Sequence, residues 1–161
     1  MSIRIFVTGG TFEKEYDEIS QKLVLRQTHW GDILKQGRSQ LRTTITELML
    51  VDSLEMTEQQ REFIAQSCVN TDEKKIVITH GTDTMHLTAE KISALNIDKT
   101  VVLTGAMVPY SMGKSDAFFN MGASLAFAQT LPSGVYIAMN GKVFEWDKVQ
   151  KNVEKGIFEK K

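Results

Sequence analysis

The sequence predicts a three-layer α/β fold in which a mostly parallel sheet carries helices on both faces. Three observations lead there. The chain has 161 residues, which suits one hydrophobic core and one domain spanning 1–161. Short apolar and β-branched runs alternate with longer segments of helical periodicity. Strands connected through helices pair in parallel, and right-handed crossovers distribute the helices over the sheet.

The first strand is Arg4–Thr8, an apolar run that stops at Gly9-Gly10. Glu13–Thr28 is polar and weakly periodic, so it predicts a mobile loop over the sheet edge with a short extended piece at Leu23–Leu25. A helix over Trp30–Gln36 leads to a second strand, Thr43–Val51. The helix over Thr57–Cys68 opens with a capping box, because Gln60 follows Thr57 by three residues. Strands over Lys75–Thr79, Thr100–Leu103 and Val135–Met139 alternate with helices over Met85–Leu95 and Asp116–Thr130. Asp83 or Thr84 would cap the first of these helices, and Ser115 or Asp116 the second. Pro109 and Pro132 fall in loops, and the stretch around Lys148 and Lys151 reads as a solvated charged tail.

Charge and composition remove several function classes. Nineteen basic and 20 acidic residues leave a formal net charge of −1 with no basic stripe, so nucleic acid and anionic membranes are not expected partners. No apolar run approaches the roughly 20 residues of a membrane-spanning helix. The N-terminus enters directly into a strand-like run without the build of a secretory signal, so a cytoplasmic location is expected. Cys68 is the only cysteine, which allows neither an internal disulfide nor a cysteine-rich metal site. It reads as a partly buried thiol without a role. His80 reads as a packed strand-end residue, and neither His29 nor His86 has a partner at metal-ligand spacing. No metal and no cofactor are expected.

Ligands of such sheets bind at the carboxyl edge. The loops there hold Thr8-Gly9-Gly10-Thr11, Asp52-Ser53, His80-Gly81-Thr82-Asp83-Thr84 and Gly105-Ala106-Met107. Glycine lets the backbone approach a ligand closely, and a threonine hydroxyl is a nucleophile once something takes its proton. One Gly-Gly-Thr is an ordinary tight turn, and Thr82 alone is an ordinary helix cap. Two Gly-Thr loops converging on one edge point instead to chemistry. Neither loop has the spacing of a P-loop or of a dinucleotide-binding turn.

The segment Phe6-Val7-Thr8-Gly9-Gly10-Thr11 resembles the first signature of the bacterial-type L-asparaginase family, and Val77 through Met85 resembles the second. Asp52-Ser53 with Met56-Thr57, Leu103 through Met107, Asp116 with Phe119-Asn120, and Ala138-Met139-Asn140 follow in family order. The resemblance runs from about residue 3 to about residue 152 and matches the larger N-terminal domain of a family member, whose flavodoxin- or Rossmann-like sheet it implies. The resemblance does not extend to the smaller C-terminal domain of the usual member, so that domain is expected to be absent from these 161 residues, whether they are a natural short form or a fragment.

The resemblance implies an amidohydrolase that cleaves the side-chain amide of L-asparagine to aspartate and ammonia. Thr11 is implied as the primary nucleophile, with Tyr16 as its activating partner. Thr82, Asp83 and Lys151 correspond to the second hydroxyl, the carboxylate and the lysine, with Lys148 the alternative for the lysine. Which threonine is acylated first stays open. Asp83 would bind the substrate's α-ammonium group, Ser53 its α-carboxylate with Asp52 on the ammonium side, and Gly10 and Ala106 would add backbone contacts. Val108 stands where the family commonly has arginine, which puts a local salt bridge in doubt. A homodimer or tetramer would close the site. The competing readings are an amide-binding module with weak or lost catalysis and the amidase part of a tRNA-dependent amidotransferase-like assembly. Asparagine, glutamine, D-isomers and small amides are not separated by the sequence.

Overall fold

A computed structural model describes residues 1–161. The central sheet has six strands: β1 (Ser2–Gly9), β4 (Arg42–Val51), β5 (Lys75–Thr79), β6 (Thr100–Thr104), β7 (Gly134–Met139) and β8 (Lys142–Glu145). Their order is β4-β1-β5-β6-β7-β8, with β8 antiparallel to β7 and every other pairing parallel. The helices are α1 (Trp30–Gln36), α2 (Glu58–Asn70), α3 (Met85–Ala94) and α4 (Ala117–Thr130). No helix is long and apolar enough to cross a membrane.

Side-chain alternation along the strands divides the core into two layers. Ile76, Ile78, Val101, Leu103, Ile137 and Met139 face α2 and α3, packing on Ile64, Ala65, Ala89 and Ile92. Ile3, Ile5, Val7, Val77 and Val102 face the other way, toward Trp30 and Ile33 of α1 and Met121 and Leu125 of α4. Fully burying each Val, Ile, Leu or Met among them contributes about 1.5–3 kcal/mol. The three-layer architecture is therefore as the sequence predicts. The Thr57–Gln60 capping box is formed in both directions.

Two regions differ from expectation. Glu13–Thr28 is not a loose loop but a hairpin of β2 (Lys14–Asp17) and β3 (Lys22–Leu25), pinned by Arg26 to Asp17, Gln27 to Glu15 and Ser111 Oγ to the Lys14 carbonyl. The charged tail is a second hairpin, β9 (Val149–Asn152) with β10 (Ile157–Lys160), anchored by Val149 and Phe158 in the core. Each of these strands is only four residues long, too short for a period of two to stand out from the polar residues around it.

Candidate active site

The carboxyl ends of β1, β4 and β5 meet through backbone. Gly10 has φ of 80°, and a methyl group on it would lie 2.5 Å from both Cα and N of Gly81. A methyl group on Gly81 would in turn collide with the Ser53 side chain. This contact row holds Thr11, Ser53 and Thr82 on one edge, each one residue or less from the touching atoms. Gly105 closes the row from β6, against the His80 carbonyl and the Thr82 methyl. Ala106, next to it, is buried. A glycine is required at Gly10 both for its positive φ and for the approach.

Lys151 comes to the same edge from β9. Its Nζ lies 2.8 Å from Thr82 Oγ1 and 2.7 Å from Asp83 Oδ1. Lys148, the alternative lysine, instead pairs with Glu145 in an exposed contact. Of the two cap candidates in this loop, Thr84 takes the N-cap position of α3, though neither side chain makes a capping bond. Thr84 donates its hydroxyl to the Ser53 carbonyl at 2.8 Å. Asp83 commits its carboxylate to Lys151.

The Thr11 side is less engaged. Thr11 opens a 3-10 turn, Thr11–Glu13, and no hydrogen bond to its hydroxyl is formed. Tyr16 is 57% exposed, and its hydroxyl is not bonded to Thr11 or to any other residue. Asp52 is taken by a residue to which the sequence pattern assigns no role: Lys14 Nζ lies 2.6 Å from Asp52 Oδ2, while Asp52 Oδ1 accepts the Leu54 amide at 3.1 Å. Lys14, more than any other group, holds the Asp52 carboxyl below the usual carboxylate range. The signal for it in the sequence is its position three residues past Thr11, which gains meaning only once the hairpin is known.

Behind the loops, the buried His80 has burial to push its pKa down to about 4, so it is neutral. Its Nδ1 is 2.9 Å from the Gly81 carbonyl, which fixes the proton there. Nε2 then accepts from Thr88 Oγ1 at 2.7 Å, and Thr88 Oγ1 accepts from Arg61 Nη1 at 3.0 Å. This directed chain braces the Gly81-Thr82 peptide, consistent with His80 as a packed strand-end residue. Asp116 accepts the Met107 and Val108 amides and the Asn120 side chain, so backbone donors meet it where Val108 supplies no cation. Glu13 is fully buried, accepts from Thr28 Oγ1 at 3.1 Å and the His29 amide at 2.9 Å, and has its pKa raised by burial from 4.5 to about 7. Cys68 is fully buried with its thiol pushed up to about 12, an unreactive state. No group of three or more His, Cys, Asp or Glu residues is arranged to hold a metal ion.

A family model described as "Asparaginase, N-terminal" matches residues 2–157. The L-asparaginase of Thermococcus kodakarensis is 28% identical over 158 residues, covering 94% of this chain and 48% of the relative. Its solved structure superposes with a TM-score of 0.88 over 99% of this chain and 51% of that one, at 27% identity. L-asparaginase I of Vibrio cholerae gives a TM-score of 0.86 at 26% identity, covering 99% of this chain and 51% of that one. A glutamyl-tRNA(Gln) amidotransferase subunit of Methanococcus maripaludis is 30% identical over 151 residues, covering 88% of this chain and 35% of the relative. The chain thus spans about half the length of the asparaginases it matches.

Proposed function

The chain belongs to the asparaginase family, and on that premise we propose that it is an amidohydrolase cleaving the side-chain amide of L-asparagine to L-aspartate and ammonia through a threonine acyl-enzyme. The observation that carries this reading is Lys151, bridging Thr82 Oγ1 at 2.8 Å and Asp83 Oδ1 at 2.7 Å. A solvated tail would have no reason to deliver a lysine to that hydroxyl and carboxylate together.

In the proposed reaction Thr11 Oγ attacks the amide carbon, its proton relayed through Tyr16 or through water held there to the leaving nitrogen. The C–N bond breaks and ammonia leaves with a proton. Thr82 and Lys151 then position the water that attacks the β-aspartyl ester, and the Thr11 hydroxyl is regenerated. Backbone amides at the Thr11 and Thr82 turns, with Ala106 near the departing amide, stabilise the oxyanion; one such donor contributes about 3 kcal/mol. Asp83 Oδ2 makes no hydrogen bond and so receives the α-ammonium group, while Ser53 takes the α-carboxylate. The same proposal places the protein in the cytoplasm and includes self-association as a homodimer or tetramer. Exposed Met107, Val108, Met112 and Phe119 support the latter, and light scattering measures it.

Ammonia release from L-asparagine by the purified chain, lost in both Thr11→Ala and Thr82→Ala, is the expected result. Absence of turnover on L-asparagine, L-glutamine and their D-isomers would overturn the enzyme reading. One observation favours a second reading, a module that binds amino-acid amides with weak or no catalysis: no proton acceptor is hydrogen-bonded to Thr11. Calorimetric binding of L-asparagine without ammonia release would establish it.

A further inference from the structure

Lys14 presents a cation that the proposed chemistry does not use. An ammonium group has three N–H donors, and Lys14 Nζ makes a single hydrogen bond, to Asp52 Oδ2. Lys151 engages two of its donors inside the site. Lys14 is held at both ends, its backbone by Ser111 and its ammonium by Asp52. Its own carbonyl accepts from Ser111 Oγ at 2.7 Å, and Asp52 is held by the Leu54 amide. The side chains of Lys14 and Asp52 are 22% and 33% exposed, so a solute reaches the ammonium without displacing the core.

Its location is set by neighbours already described. Lys14 follows Thr11 by three residues, and Asp52 directly precedes Ser53, whose side chain lies against Gly81. Two lysine–carboxylate pairs therefore stand on the loops of this edge, Lys14 with Asp52, which adjoins Ser53 in the chain, and Lys151 with Asp83, which adjoins Thr82. Ser53 alone offers a carboxylate one neutral donor. A zwitterion laid between the pairs meets Asp83 with its ammonium group and Lys14 with its carboxylate. The unloaded site keeps no net charge there.

We propose that Lys14 is a specificity-determining residue whose free N–H donors receive the α-carboxylate of a free amino-acid amide, so that the site selects it over amides whose α-carboxyl is esterified or otherwise blocked. The proposal rests on the amidohydrolase reading for the identity of the substrate. Asp52 keeps one Lys14 proton and orients the other two.

The test compares L-asparagine with its α-methyl ester on wild type, Lys14→Met and Lys14→Arg, by ammonia release and by calorimetric binding. In Lys14→Met the preference for the free acid falls about 10- to 100-fold, the range of a charge-assisted hydrogen bond. The fall lies in KM and in the dissociation constant rather than in kcat, and Lys14→Arg recovers most of it. An unchanged preference in a folded Lys14→Met protein overturns the proposal, as does an equal loss for both compounds or failure of wild type to bind either. Failure of the amidohydrolase reading looks different: neither compound yields ammonia, while the binding preference still responds to Lys14→Met.

Discussion

The two threonines sit on one sheet edge in different states of preparation. Thr82 is buried, braced from behind by the directed His80–Thr88–Arg61 chain and joined in front to Lys151. Thr11 is half-buried, its hydroxyl is free of hydrogen bonds, and Tyr16 stands exposed on the adjoining hairpin. Groups held in working geometry before substrate arrives contribute most to a transition state, because no reorganisation is left to perform. Under the proposed function, this difference gives the water-handling step to a finished half of the site and the first attack to a half that substrate completes.

The largest effect expected from this asymmetry is on Lys151. Lys151→Met lowers steady-state kcat on L-asparagine by about 10²- to 10³-fold, the usual range for losing a positioned acid–base group. A loss under about 10-fold, measured by steady-state ammonia release, would mean that the bridge to Thr82 is structural only.

The next effect concerns the support under Thr11. Glu13 has a pKa of about 7 in the fold against 4.5 as its ordinary value, with burial the main cause and Glu47 adding a like charge. A raised carboxyl pKa costs nothing below about 4.5, where both states are protonated. The cost grows as pH rises from 4.5 to about 7, because the unfolded chain releases its proton first, and is constant above that. Its full size is on the order of 3 kcal/mol. Denaturant melts of wild type and Glu13→Gln should show wild type losing stability relative to the variant across that window; parallel curves would contradict the assignment.

Tyr16→Phe carries the smallest effect. It lowers kcat roughly 10-fold, below the usual range for a positioned base because water can stand in at an open position. A loss matching that of Lys151→Met would erase the comparison, since both halves would then be equally prepared.

What the sequence disclosed follows the same division. The five parallel strands and four helices are legible because the strands alternate between two cores and each helix packs its apolar side on one of them, so periodicity survives. The placement of Thr11, Ser53, Thr82 and Asp83 on one edge is legible because they lie within four residues of the ends of β1, β4 and β5. The hairpins are not. β7 turns into β8 through Asn140 at φ 57° and Gly141 at φ 76°, an Asn-Gly pair whose positive φ values make a tight hairpin. β2 and β9 carry Lys14 and Lys151 on four-residue strands too short for periodicity to show, paired only with the other strand of their own hairpin. Lys151 could be aligned to its role while its delivery by a hairpin could not be seen, and the Lys14–Asp52 pair joins residues 38 apart in sequence.

The division of labour between the threonines is most directly tested by acid-quenching Lys151→Met during turnover of L-asparagine and mapping the covalent adduct by peptide mass spectrometry. A stoichiometric burst of ammonia with a β-aspartyl ester on Thr11 is the predicted result. An ester on Thr82, or slow ammonia release with no ester on either threonine, would contradict it.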